Sequence, residues 1–255
     1  MNTRFAFGAC AALALSGAAF GQFGAINSLA EAPYWFANYF GRSNLTITNN
    51  GLSSIRFEDR NFTGGGFANR HHAALAVNNV PFQFQNNQGF RFDVDVNITG
   101  PGRTEAGIWI GTAPSYPSSF NADVGQFVLL PNNGGEAAAF GSLLPFFSNN
   151  EAENLDQDRA VRNTVIHLTM LYVAAPNPYI QYGINGVFTR ELNSGGFFPG
   201  ILNNSLMGVY VQGPNGDPTA GDVDVTYSNL SIQIPAPGAF ALLGLGGLMA
   251  GRRRR

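Results

Sequence analysis

Apolar and polar positions alternate along much of this 255-residue chain. The clearest run is Phe90–Ile98, where Phe90, Phe92, Val94, Val96 and Ile98 share one face and Arg91, Asp93, Asp95 and Asn97 the other. A period of two is what a strand with one face on a core and one in solvent imposes. Shorter alternating runs at 106–111, 124–130 and 164–173 read the same way; in the last, Ile166, Leu168, Met170 and Tyr172 form the apolar set, against His167 and Thr169. The runs 179–184 and 187–192 flank Asn185-Gly186, the dipeptide suited to a two-residue hairpin turn. Strands at 205–212 and 222–232 follow, with a slip in alternation at Ser228-Asn229 that predicts a bulge. Earlier runs at 44–48 and 53–57 predict an N-terminal strand pair. No stretch from 22 to 232 holds a helical period. About ten to twelve strands in one body predict an all-β fold, a two-sheet antiparallel sandwich or jelly roll.

The two ends break this pattern. Residues 1–21 combine Arg4, an apolar run from Phe5 to Phe20 and the small-residue exit Ala19-Phe20-Gly21, the three parts of a secretory signal peptide. Cys10 offers a rival reading as a lipid acceptor, but the apolar run continues well past it. At the other end, residues 233–255 contain Pro235-Ala236-Pro237, then 14 uncharged residues from Gly238 to Gly251, then Arg252, Arg253, Arg254 and Arg255. As a helix that run would be about 21 Å long, short for a bilayer core of roughly 30 Å unless the arginines snorkel. The terminal arginines would remain cytoplasmic and the body outside. These segments predict an N-terminal signal helix and a short C-terminal hydrophobic helix, both outside a body spanning 22–232.

The proline tag, apolar helix and arginine cluster resemble the PEP-CTERM sorting signal, with Ala236 where that family has Glu. The resemblance implies export through the Sec translocon, cleavage by signal peptidase and processing by an exosortase-type enzyme. It also implies a final place at the cell surface, in the outer envelope or in an extracellular polysaccharide matrix.

Charge sharpens the picture of the body. All 14 basic residues are Arg; nine of them, with all 16 acidic residues, lie between 22 and 232, a net charge of −7. An acidic body has no footprint for nucleic acid. Cys10 is the sole cysteine, so the body has no thiol chemistry.

Strand order along the body, with Gly107-Ile-Trp-Ile-Gly111, Tyr182-Gly-Ile-Asn-Gly186, Gly208-Val-Tyr210 and Asp224-Val-Thr-Tyr-Ser-Asn-Leu-Ser-Ile232, resembles the concanavalin A-like lectin/glucanase jelly roll. The glucanase branch carries its catalytic carboxylates as Glu-x-Asp-x-x-Glu, which places them in one groove. That motif does not occur here. Glu58 and Asp59 are adjacent and point to opposite faces of a strand; Asp93 and Asp95 share a face but read as solvated positions.

Other candidates divide between chemistry and plain structure. The acidic loop with Glu151, Glu153, Asp156 and Asp158 could offer oxygens to Ca²⁺, against the reading of a solvated loop. Asn215, Asp217, Asp222 and Asp224 form a second such group. His71 and His72 are adjacent, but no third ligand is visible, so both read as surface or loop histidines. Gly64-Gly65-Gly66 reads as a turn. Tyr34, Trp35, Tyr39, Trp109, Tyr116, Tyr179 and Tyr182 are candidates to stack on sugar rings, against a core role. The expected function is therefore non-catalytic: an exported, exosortase-sorted surface or matrix protein, not an enzyme, whose binding partner is a glycan. The alternatives are a secreted glucanase-like glycoside hydrolase and a purely structural matrix subunit.

Overall fold

A computed structural model describes residues 25–31, 44–60, 68–85, 88–100, 102, 104–112, 124–130, 138–142, 152–154, 162–174, 177–192, 204–214 and 223–233. These form fifteen strands: β1 (Ser28–Glu31), β2 (Asn44–Asn49), β3 (Ser54–Arg60), β4 (Ala68–Val77), β5 (Val80–Pro81), β6 (Phe90–Ile98), β7 (Thr104–Thr112), β8 (Val124–Leu130), β9 (Ala138–Ser142), β10 (Ala152–Asn154), β11 (Val165–Val173), β12 (Tyr179–Ile184), β13 (Val187–Phe188), β14 (Ser205–Pro214) and β15 (Val223–Gln233). The signal segment, Pro235, Ala236, Pro237 and Arg252 to Arg255 lie outside the described residues, as do Glu151, Asp156 and Asp158; Glu153 falls in β10. Among the described residues no helix is long and apolar enough to cross a membrane.

The strands form two antiparallel sheets. One runs β1-β4-β14-β7-β8-β9-β10, with β5 on β4; the other runs β13-β12-β11-β6-β15-β3-β2. Chain order alternates between them, β3 to β4, β6 to β7 and β14 to β15 each crossing from one sheet to the other. This is the two-sheet jelly roll expected from the alternation, and it exceeds the expected strand count because short strands β1, β5, β9 and β10 carry too few residues to show a period and β4, buried on both faces, shows none.

Alternation decides what each strand buries. Phe90, Phe92, Val94, Val96 and Ile98 of β6 and Ile166, Leu168, Met170 and Tyr172 of β11 face Ile108 and Ile110 of β7, Met207, Val209 and Val211 of β14 and Leu75 of β4. Each such side chain contributes roughly 1.5–3 kcal/mol on burial, so a body without disulfides is held by this layer. The expected bulge is present: register between β15 and β6 shifts between Ser228 and Ser231, and Asn229 has φ 53°. The Asn185-Gly186 turn joins β12 to β13 with φ of 48° and 81°, the left-handed pair that a tight hairpin requires.

β4 corrects the reading of the histidine pair. His71 and His72 are neither surface nor loop residues; they lie on a strand paired on both sides, by β1 and β14, and both are buried. His71 faces inward, where its Nε2 lies 3.1 Å from Asp59 Oδ2 of the opposite sheet. Asp59 is the inward member of the adjacent pair and Glu58 the outward one, as alternation predicts.

Candidate functional site

The outer face of the eight-stranded sheet carries a buried polar and aromatic cluster that does not belong to the inter-sheet core. On β7, Ala106, Ile108 and Ile110 point into the core, which turns Glu105, Gly107 and Trp109 outward. On β14 the same parity turns Gly208 and Tyr210 outward, and on β4 it turns out His72 and Ala74. Register then sets the neighbours. His72, Tyr210 and Gly107 form one row across three strands; Ala74, Gly208, Trp109 and Gly125 form the next across four.

Trp109 thus has glycine on both flanks, so no side chain competes with the indole laterally. Its Nε1 donates to Val209 O at 3.1 Å, and its ring meets His72 edge-on at 4.7 Å. His72 also stacks on Tyr210 at 5.6 Å with 27° between the rings. Tyr210 Oη donates to Glu105 Oε1 at 2.7 Å. Relative exposures are 0% for Trp109, 2% for His72 and Tyr210, and 9% for Glu105. The Tyr210 hydroxyl and the Glu105 carboxyl, held this dry, share a proton across their hydrogen bond, and His72 lies against the phenol by its ring face. From the other sheet, Tyr227 crosses the core, and its hydroxyl meets the carbonyls of Gly107 and Tyr210 beneath this cluster.

The outer face of the seven-stranded sheet is organised differently, as a set of satisfied ion pairs. His167 Nδ1 lies 2.7 Å from Asp95 Oδ1 and Nε2 lies 3.2 Å from Asp93 Oδ1. Arg91 grips Asp93 with two hydrogen bonds, Thr169 adds a third, and Asn229 donates to Asp95. Burial pushes the Asp93 carboxyl up, but donors from Arg91, Thr169 and His167 outweigh it and hold the group below its ordinary range. Asp93 is therefore a buried, paired carboxylate and not the solvated position expected. Asp224 accepts both Nε and Nη2 of Arg56, at 2.9 and 2.7 Å, and that pairing lowers its carboxyl against the upward push of burial.

The remaining candidates fall apart. Tyr182 is a core residue and Tyr179 is half-buried; Tyr34, Trp35, Tyr39, Tyr116, Gly64 to Gly66, Asn215, Asp217 and Asp222 lie outside the described residues. Trp109 is buried as the core reading expected, yet on the outer face. No group of three or more His, Cys, Asp or Glu suited to a metal ion occurs among the described residues. Glu105, Tyr210 and His72 were not legible as a cluster, because only the pairing of β14 between β4 and β7 brings them together.

No protein-family model matches the chain, and no curated protein sequence does. Solved structures do share its fold. An alginate lyase from the marine bacterium Zobellia galactanivorans is similar over 85% of this chain and 99% of its own, with TM-score 0.50 and 9% identity. A laminarinase from a Flavobacterium species is similar over 75% and 81%, with TM-score 0.50 and 10% identity. A third structure, from work on endo-acting O-glycanases of the human gut microbiota, is similar over 82% and 92%, with TM-score 0.52 and 9% identity. These neighbours overturn the expectation that the chain is not an enzyme. That expectation rested on one missing motif of one hydrolase branch, whereas the fold is shared with an alginate lyase as well as a laminarinase.

Proposed function

We propose that the protein is an exported glycan-cleaving enzyme whose chemistry takes place on the outer face of its eight-stranded sheet. The observation that carries this reading is the Tyr210–Glu105 hydrogen bond of 2.7 Å, set off the core with His72 stacked on the phenol. The fold shared with an alginate lyase and a laminarinase supports a polysaccharide as substrate.

Elimination suits these groups better than hydrolysis. Hydrolysis by paired carboxylates asks for two of them about 5–9.5 Å apart. Glu105 is the one carboxyl group among the buried members of this cluster. Elimination asks for a base and an acid near one sugar. The base removes the proton on the carbon beside a uronate carboxyl, the bond to the leaving glycosidic oxygen breaks, that oxygen gains a proton, and a carbon–carbon double bond remains. Tyr210 and His72 supply the base and the acid, and Glu105 orients the phenol. The Pro235-Ala236-Pro237 tag and the terminal arginines support delivery by an exosortase-type system. Finding Arg255 still attached to the exported protein would refute that part.

The test is an assay of the purified body on uronate-containing and neutral polysaccharides, following both new reducing ends and the ultraviolet absorbance of unsaturated uronyl products. Elimination predicts both signals, with a loss of about 10²-fold or more in Tyr210→Phe. Reducing ends without the absorbance would make the enzyme a hydrolase. Neither signal on any substrate would overturn the proposal.

A further inference from the structure

A second site lies away from this face, where the two sheets part at their edges. β1 ends the eight-stranded sheet and β2 ends the seven-stranded sheet. Their inward rows begin apolar and then stop: Leu29 is followed by Glu31 on β1, and Ile47 by Asn49 on β2. A carboxyl group and a carboxamide thus stand where apolar side chains would have closed the sandwich. Between them opens a notch of about 390 Å³, lined by Leu29, Ala30, Glu31, Asn49, Gly51 and Asn79.

The walls of the notch are fixed by hydrogen bonds. Asn49 Nδ2 donates to Leu29 O at 2.8 Å and Asn49 Oδ1 accepts from Gly51 N at 3.0 Å, tying the two sheet edges together. Across the rim, Asn79 N donates to Ser28 Oγ at 2.9 Å, while Asn27 and Asn78 exchange two bonds of 2.9 Å. Asn78 and Asn79 hold φ of 51° and 65°, so the turn that carries Asn79 is a tight left-handed one. Among the described residues, the carboxyl group of Glu31 and the carboxamide of Asn79 take no hydrogen bond. The walls spend their polar groups on each other, and these two are left facing the opening.

We infer that this notch binds neutral saccharide units as a site separate from the Tyr210 face. A carboxamide both donates and accepts, and a carboxyl group accepts from neighbouring hydroxyls, which is how a vicinal diol is read. Among the described residues the lining holds no Lys, Arg or His, so a uronate would meet Glu31 without compensation from them. A hard divalent cation would want six to eight oxygens, several of them charged, and among the described residues the lining carries one carboxyl group. The volume falls in the lower part of the roughly 300–1,000 Å³ typical of small-molecule sites. The inference stands whether or not the Tyr210 face cleaves glycans.

The test is affinity electrophoresis of the folded body in gels containing laminarin, dextran, galactomannan or alginate, with EDTA throughout. Retardation by at least one neutral glycan is expected, and retardation by alginate, a uronate polymer that the Tyr210 face would take, should be the same in wild type and in the notch variants. Glu31→Ala and Asn79→Gly should each weaken that retardation about ten-fold. Asn79→Gly keeps the left-handed turn, and thermal melting checks that both variants fold. Tyr210→Phe should be retarded like the wild type. No retardation by any neutral glycan overturns the site, as does retardation unchanged in both notch variants. Retardation lost in Tyr210→Phe alone would assign binding to the other face, overturning the notch while leaving the proposed function intact.

Discussion

Gly208→Ala probes the packing that makes room for the Glu105–Tyr210–His72–Trp109 cluster. Gly208 lies on β14 between Ala74 of β4 and Trp109 of β7. A Cβ built there would stand 2.8 Å from the Ala73 carbonyl carbon and 2.9 Å from Ala74 Cα, with the Ala73 oxygen nearer still. All three are backbone atoms of a strand paired on both sides, so no side chain can swing away. β14 and β4 would have to part by about 1 Å, which carries their nearest rungs past hydrogen-bonding distance. Overpacking typically costs 1–3 kcal/mol and each lost rung about 1 kcal/mol. A loss of about 3 kcal/mol follows, which for a body of this size lowers Tm by about 6–12 °C. Thermal melting by circular dichroism reads the shift, and near-ultraviolet spectra report whether Trp109 has moved. A Gly208→Ala protein melting within about 2 °C of wild type would refute the close strand approach and with it the packing assigned to the cluster.

Gly186→Ala offers a contrast, because a Cβ there meets nothing within 4 Å while φ is +81°; the loss should be about 1–2 kcal/mol from the backbone alone, and Gly186→Asn should recover part of it in chemical denaturation. Tyr227→Phe removes the hydroxyl that reaches Gly107 and Tyr210 across the core; a loss of about 1 kcal/mol is expected, measured as a lower urea midpoint at unchanged slope. Asp93 and Asp224 both have folded-state carboxyls held below the ordinary range. Their stabilisation is complete above the unfolded range near pH 4 and is lost as pH falls through the lower folded values. Urea midpoints should therefore drop between about pH 5 and pH 2, and Asp224→Asn should flatten that drop.

Alternation along the sequence determined which side chains face the core, because a strand's two faces follow from a period of two whatever lies beside it. It placed Phe90 to Ile98, the Asn185-Gly186 hairpin and the slip at Ser228-Asn229, and it separated Asp59 from Glu58. It missed β4, since Ala73, Ala74, Leu75 and Ala76 are all buried and a strand covered on both faces shows no alternation. The histidines on that strand were misread for the same reason. Which strands become neighbours was left to the tertiary structure, because hydrogen-bonded pairing is carried by backbone groups that every residue shares. Only the order β4-β14-β7 sets Tyr210 beside His72 and within reach of Glu105, 105 residues away in sequence. Only the parting of β1 from β2 turns Glu31 and Asn49, unremarkable in the sequence, into the mouth of a notch.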